Sequence, residues 1–140
     1  MSHPNTLRIL LVDDQALFRE GLRTLLALVP EFIVIAEAKN GLEAVELTRR
    51  LQPDVVLMDL RMPGLGGVDA TRQIRQLKPT PQVLVLTTFD HDEEVFAALA
   101  AGAIGYLLKD VPSDRLAEAI RSAARGQSCL EPAVASKVIH

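Results

Sequence analysis

The chain alternates five times between a short apolar run and a longer stretch with hydrophobic residues at helical spacing. Short runs rich in β-branched residues predict strands buried on both faces, and the stretches between them predict one-faced helices. This alternation is typical of βα units around a parallel sheet. The predicted strands are Arg8 to Val12, Phe32 to Ala36, Val55 to Asp59, Val83 to Thr87 and Gly105 to Leu108.

The C-terminal segment has no place in this five-unit plan. Residues 127–140 carry no further apolar run, although Ala133 to Val138 could begin one more helix. We therefore divide the chain into a domain over residues 1–126 and the start of a linker over residues 127–140.

Composition and charge exclude several classes of protein. A chain of 140 residues with 49% hydrophobic and 24% charged residues predicts one globular domain. Its formal net charge of -3 gives no basic footprint for nucleic acid, and its apolar runs are too short to span a bilayer. The N-terminus lacks a secretory pattern, and the single Cys129 cannot form an internal disulfide. We expect a cytoplasmic protein with no membrane partner.

Polar residues follow four of the predicted strands where these strands end. Because ligands of open parallel sheets bind at the carboxyl ends of the strands, these residues are candidates for a shared site. They are Asp13 and Asp14 after the first strand, Asp59 after the third, Thr87 at the end of the fourth and Lys109 after the fifth.

The candidate residues suit a metal-dependent phosphate site. Three carboxylates brought together need a cation, and Mg²⁺ prefers oxygen ligands. One Mg²⁺ and Lys109 would together neutralise the three aspartates. Lys109 and the Thr87 hydroxyl could then contact phosphoryl oxygens, and Asp59 is a possible nucleophile that forms an aspartyl phosphate.

Taken together and in order, the motifs resemble a two-component response-regulator receiver domain. Each motif is weak alone, but together they cover about Arg8 to Gly126. They are Val12-Asp13-Asp14, Asp59-Leu60-Arg61-Met62-Pro63-Gly64, Thr87-Thr88, Tyr106 and Leu108-Lys109-Asp110.

The resemblance implies a fold and a set of roles. The fold would be flavodoxin-like, a doubly wound (βα)5 α/β domain with a five-stranded parallel sheet in the order 2-1-3-4-5. Asp59 would accept a phosphoryl group from a sensor histidine kinase or a small phosphodonor. Asp14 and Asp59 would bind Mg²⁺ directly with the Arg61 main-chain carbonyl, and Asp13 would act through water.

The resemblance also implies a conformational switch. Thr87 and Tyr106 match the family's switch pair, and Lys109 matches its site lysine. We expect the surface from Asp92 to Leu108 to change on phosphorylation. Arg61 and Phe89 lie two residues after Asp59 and Thr87, where they could shield the acyl phosphate from water.

Softer motifs resemble the NarL/FixJ type of response regulator. They are Leu60 to Gly64, Leu108 to Asp110, and Ala124 to Gly126 followed by Leu130 to Pro132. Regulators of this type carry a LuxR-type helix-turn-helix, so DNA would be bound only through an output domain outside this chain. We expect a homodimer on phosphorylation.

Simpler interpretations remain open for single residues. Asp13 or Asp14 could cap the first helix, and Asp59 could cap a turn. Thr87 could be an ordinary strand residue and Tyr106 ordinary core.

Two other functions for the whole domain also remain open. One is a phosphate-independent interaction module, and the other is an aspartate-nucleophile phosphatase. A phosphatase normally needs a second acid two residues after the nucleophile, where this chain has Arg61. We therefore expect a phosphoacceptor switch that catalyses its own phosphorylation and dephosphorylation, and not an enzyme.

Overall fold

The computed structural model describes residues 6–88, 91–130 and 132–139. Strands and helices alternate throughout these residues. The strands are β1 (Leu7–Val12), β2 (Phe32–Ala38), β3 (Val55–Met58), β4 (Gln82–Thr87), β5 (Gly105–Leu108) and β6 (Cys129–Leu130). The helices are α1 (Ala16–Ala27), α2 (Gly41–Leu51), α3 (Gly67–Ile74), α4 (Asp92–Ala100), α5 (Ser113–Ala124) and α6 (Pro132–Ile139).

All strands join one parallel sheet in the order β2-β1-β3-β4-β5-β6. The predicted α/β class and the order of the first five strands are confirmed, but the predicted number of five strands is wrong. The sixth strand has only two residues, which is too short to leave a hydrophobic pattern.

The residue that allows the sixth strand to pair is Gly105. Gly105 and Tyr106 of β5 lie opposite Cys129 and Leu130 of β6. A Cβ atom at position 105 would lie 2.2 Å from the Cys129 carbonyl oxygen, which is a severe clash. Glycine is therefore required for this close approach.

Helices cover both faces of the sheet, so its central strands are buried on both sides. In β1, Ile9 and Leu11 face a core formed with α1 and α5, whereas Leu10 and Val12 face a core formed with α2 and α3. Along a strand, successive side chains point to opposite faces, and this explains the unbroken apolar runs in the sequence.

A third core lies under α4 and is called the Tyr106 cluster below. Its buried members are Leu60, Val85, Val95, Ala98, Ala103, Tyr106 and Val134.

The C-terminal segment closes this cluster. Val134 of α6 has no exposed surface and packs among residues of α4 and β5. On the outside, Lys137 Nζ lies 2.7 Å from Asp92 Oδ1 at the start of α4. A helix in this segment is confirmed, and it packs on the domain. Among the described residues, no helix is long and apolar enough to cross a membrane.

Candidate functional site

The carboxyl ends of β1 and β3 bring three aspartates together. Val12 and Met58 are paired in register, so the residues that follow them, Asp13 and Asp59, lie side by side. Asp14 completes the group, and one carboxylate oxygen from each of the three residues lies within 4.8 Å of the others. The prediction that these aspartates share one edge of the sheet is therefore met by the geometry.

The three carboxylates differ in burial. Asp13 and Asp59 are only 4% and 5% exposed, whereas Asp14 is exposed to solvent. Asp13 Oδ1 accepts a hydrogen bond of 2.8 Å from the main-chain N–H of Gln15. Asp59 Oδ1 accepts one of 2.9 Å from the main-chain N–H of Leu60. Asp13 thus satisfies a backbone donor just before α1, although Gln15 and not Asp13 occupies the N-cap position, and its second oxygen faces Lys109.

Lys109 supplies the positive charge of the site. Its ammonium group lies 2.6 Å from Asp13 Oδ2 and 3.5 Å from Asp59 Oδ2. It also donates a hydrogen bond of 2.9 Å to Gln15 Oε1 and lies 4.3 Å from the centre of the Phe18 ring. The side chain is 9% exposed, so these contacts replace most of its water. We call Asp13, Asp14, Asp59 and Lys109 the acidic site.

Asp59 is shifted toward its protonated form. Burial raises the pKa of Asp59 above its usual 3.8, and the nearby Asp13 carboxylate raises it further. Lys109 and the hydrogen bonds from the Thr87 side chain and the Leu60 amide oppose this shift. A divalent cation bound here would favour the ionised form, which is the form that can act as a nucleophile.

Thr87 and Tyr106 lie on neighbouring strands beside Asp59. Both are fully buried, Thr87 at the end of β4 and Tyr106 in β5. Tyr106 is paired with Val85, two residues before Thr87, so the two side chains lie on the same face of the sheet. Thr87 therefore lies between the carboxylate of Asp59 and the Tyr106 cluster.

Arg61 contacts the start of α4. Its guanidinium group forms an ion pair with Glu94 in the first turn of α4. This contact connects the loop after β3 to α4 and is half exposed on the arginine side. Phe89, the other predicted shielding residue, lies outside the described residues.

Sequence reasoning missed the residues that hold the site from the side of α1. Gln15 and Phe18 contact Lys109 from 94 and 91 positions away, and no local pattern indicates such contacts. Arg19 donates to the main-chain oxygen of Asp13 and lies 3.0 Å from Glu37 Oε1. Only the spacing of Gln15 and Phe18, one helical turn apart, hinted that they share a face.

The comparison with protein families decides what this arrangement belongs to. The family described as response regulator receiver domain matches residues 9–121. The chain belongs to this family.

Two solved receiver structures agree with the fold. A two-component response regulator of the LuxR family from Aurantimonas sp. SI85-9A1 is 39% identical with a TM-score of 0.90, and the match covers 96% of each chain. The signal receiver domain of the putative response regulator NarL from Mycobacterium tuberculosis is 36% identical with a TM-score of 0.84, covering 89% of this chain and all of that one.

The curated relatives of this receiver domain are transcriptional regulators. The regulatory protein DegU of Brevibacillus brevis is 44% identical over 135 residues, which is 96% of this chain and 57% of that protein. LiaR of Bacillus subtilis is 44% identical over 133 residues, covering 95% of this chain and 63% of that protein. The nitrate/nitrite regulator NarL of Escherichia coli K12 is 37% identical over 134 residues, 96% of this chain and 62% of that protein. The resemblance to the NarL type is confirmed, and the receiver domain spans about three-fifths of these relatives.

The residues of the receiver domain fit a magnesium ion. Three carboxylate oxygens within 4.8 Å match the oxygen ligands that Mg²⁺ prefers. Two of these groups are buried and repel each other. Within the described part of the chain, the Lys109 ammonium is the one cation ion-paired with them, and it balances only part of their charge. An acidic pocket suited to Mg²⁺ is therefore present at the carboxyl edge of the sheet.

Proposed function

We propose that Asp59 is the phosphoacceptor of this receiver domain. The observation that carries the proposal is the position of its carboxylate, which lies at a strand end beside a second buried carboxylate, Asp13, and 3.5 Å from the ammonium of Lys109. One Asp59 oxygen attacks the phosphorus of the donor, an O–P bond forms, and the donor's leaving group departs with the electrons of the broken bond. The product is an aspartyl phosphate, which water later hydrolyses.

Mg²⁺ belongs to the same proposal. Asp14 and Asp59 would hold the ion together with the main-chain carbonyl of Arg61, and Asp13 would act through a water molecule. When bound, the ion neutralises the carboxylates and the incoming phosphoryl oxygens. The exposure of Asp14 supports this assignment because an octahedral Mg²⁺ usually keeps several waters.

Lys109 and Thr87 complete the phosphoryl site. Lys109 transfers one of its hydrogen bonds from a carboxylate to a phosphoryl oxygen, and the Thr87 hydroxyl donates to another. These contacts favour the transferring group more than the free donor. In this way the domain promotes its own phosphorylation and dephosphorylation without acting on another substrate.

The switch passes from Thr87 to the Tyr106 cluster. A hydrogen bond to a charged group is worth about 1.5–3 kcal/mol, whereas reversing a 1:99 population takes about 5.5 kcal/mol. Thr87, Lys109 and Mg²⁺ must therefore act together. We propose that their movement changes the surface of α4 and β5, which carries Tyr106.

Arg61 and Phe89 are proposed to set the lifetime of the phosphorylated form. Arg61 lies two residues after the acceptor, and its guanidinium group is paired with Glu94. If the Arg61 guanidinium turned toward the phosphoryl group, it would exchange the Glu94 carboxylate for the phosphoryl oxygens as its anionic partner. The same exchange would loosen the link between this loop and α4.

The roles of the whole regulator extend the proposal beyond this chain. The relatives are transcriptional regulatory proteins, and the receiver domain covers only part of their length. We propose a sensor histidine kinase as phosphodonor, a homodimer on phosphorylation, and DNA binding through an output domain. In this scheme, residues 1–126 are the receiver, and residues 127–140, with β6 and α6, begin the connection to the output.

Incubation with acetyl phosphate and Mg²⁺, followed by intact mass measurement, tests the proposal. Wild type should gain one phosphoryl group, and omission of Mg²⁺ should prevent this. Asp59→Ala should gain none, whereas Asp69→Ala, which removes an exposed carboxylate on α3, should behave as wild type. An unlabelled wild type, or equal labelling of Asp59→Ala, would contradict the assignment.

A further inference from the structure

The ammonium group of Lys109 has two neutral partners in addition to its carboxylates. The Gln15 side-chain oxygen accepts a hydrogen bond of 2.9 Å, and the Phe18 ring centre lies at 4.3 Å. Both partners come from the start of α1.

Gln15 occupies the N-cap position of α1 without capping it. Serine, threonine, aspartate and asparagine are preferred there because their side chains accept hydrogen bonds from the first turn. The Gln15 side chain makes no such bond, and the first turn of α1 has no acidic residue. Its amide oxygen contacts Lys109 instead, 94 residues away in the chain.

Phe18 follows Gln15 by three residues, so both side chains lie on one face of the first turn. The ring is partly buried and packs against the core under α1 and α5. Its face is within the distance at which an aromatic ring attracts an ammonium group. The ring therefore has two contacts, an apolar one with the core and an electrostatic one with Lys109.

We propose that Gln15 and Phe18 are positioning residues, which keep the Lys109 ammonium group beside Asp59 when Mg²⁺ has bound the carboxylates. This inference rests on the proposed function of Asp59. It assigns to the start of α1 a part in phosphoryl transfer that acts through the lysine.

The physical reason is that the two kinds of partner respond differently to a metal ion. A divalent cation held by Asp14 and Asp59, beside Asp13, would compete with Lys109 for the negative charge of Asp13 and Asp59 and would repel its ammonium group. A neutral amide oxygen and an aromatic face keep most of their attraction for the lysine. They can hold it near the acceptor until phosphoryl oxygens offer a stronger partner.

Substitutions of Phe18 separate attraction to the ring from packing. Phe18→Leu keeps an apolar side chain against the core but removes the ring, so phosphorylation by acetyl phosphate should slow about three- to tenfold. Phe18→Tyr restores a ring and should return to within about twofold of wild type. If Phe18→Leu reacts at the wild-type rate, or Phe18→Tyr is as slow as Phe18→Leu, the positioning role of Phe18 is contradicted.

Substitution of Gln15 tests the second partner. Gln15→Met keeps the length of the side chain but loses the amide acceptor, and it should slow phosphorylation about threefold or more. Leu17→Ala is the matched control because Leu17 is 84% exposed on the same turn of α1. Gln15→Met reacting as fast as Leu17→Ala would contradict the role of Gln15.

Two binding measurements distinguish positioning from general damage to the site. Mg²⁺ affinity, followed by nuclear magnetic resonance, should be unchanged in Phe18→Leu and Gln15→Met. The affinity for beryllofluoride, a phosphoryl mimic, should fall about three- to tenfold in both. Equal losses of Mg²⁺ and beryllofluoride affinity would show a distorted site and contradict the inference.

Labelling of the wild-type chain distinguishes failure of the phosphoacceptor function from failure of the positioning role of Gln15 and Phe18. A wild type that takes no label contradicts the phosphoacceptor function and, with it, this inference. A labelled wild type with unaffected Phe18 and Gln15 variants contradicts the inference alone.

Discussion

The acidic site and the Tyr106 cluster are neighbours that are stabilised in opposite ways. In the acidic site, two buried carboxylates face a single lysine, and their energies depend on charge, metal and pH. In the Tyr106 cluster, the buried side chains are apolar apart from the tyrosine hydroxyl. The first region can respond to a phosphoryl group, whereas the second has the apolar contacts needed to hold a helix.

The two regions are joined by short stretches of chain. Leu60, a member of the Tyr106 cluster, directly follows Asp59 and donates its amide to that carboxylate. Val85, another member, lies two residues before Thr87 on the same strand. A change in charge can therefore reach an apolar core within one or two residues, without a long chain of intermediate contacts.

The largest expected effect is a loss of phosphorylation rate in a variant of the acidic site, compared with a loss of the conformational change in a variant of the Tyr106 cluster. Lys109→Ala should reduce the rate of phosphorylation by acetyl phosphate about 10²- to 10³-fold, because one preorganised positive group is lost from the transition state. Lys39→Ala, which removes an exposed lysine, is the control. Tyr106→Leu should keep the rate within about threefold of wild type but lose the phosphorylation-dependent change in hydrogen exchange of α4. Equal loss of rate in both variants would show that the two regions are not separable.

A smaller effect concerns the attachment of α6. Val134→Ala removes two buried carbon atoms from the Tyr106 cluster, which should weaken the docking of α6 by about 1.5 kcal/mol. Hydrogen exchange of the α6 amides should become about tenfold faster as a result. Lys137→Met, which removes an ion pair to the exposed Asp92, should cost only about 0–1 kcal/mol. Faster exchange in Lys137→Met than in Val134→Ala would mean that charge, not packing, holds α6.

The smallest expected effect is the dependence of stability on pH. The pKa of Asp59 is higher in the folded chain than its unfolded value of 3.8, because burial and Asp13 outweigh Lys109 and the hydrogen bonds. Between these two pKa values the folded state binds more protons than the unfolded state, so ionised Asp59 lowers stability at neutral pH. Without Mg²⁺, Asp59→Asn should therefore be more stable than wild type at pH 7.

The difference between Asp59→Asn and wild type should shrink as pH falls through the raised pKa of Asp59. The part that arises from ionisation should be absent below pH 3.8, where the carboxyl group is protonated in both states. Urea unfolding at a series of pH values, with a chelator present, measures this difference. A gap that stays constant across pH would show that the carboxylate is not strained by its surroundings.

The sequence predicts the parts of this fold that follow from the regular spacing of hydrophobic residues in strands and helices. Five apolar runs indicated five strands, and placing Asp13, Asp59 and Lys109 after them was enough to bring their charges together. This works because the carboxyl ends of parallel strands lie on one edge of the sheet.

The remaining features could not be predicted because they depend on single distant contacts. The sixth strand is two residues long and depends on the missing side chain of Gly105. The hydrogen bond that Gln15 Oε1 accepts from Lys109 could not be expected locally, since a residue at a helix start is expected to cap that helix. The burial of Val134 could not be predicted because it depends on the position of α4, which is distant in the sequence.

The pairing at Gly105 also has a mechanical consequence. Because β6 runs parallel to β5, tension applied along the chain beyond Leu130 would load their hydrogen bonds in shear, through the strand that carries Tyr106. The short β5–β6 pairing would then transmit a mechanical load between the C-terminal segment and the core of the domain. This pairing depends on glycine at position 105, where no side chain separates the two strands.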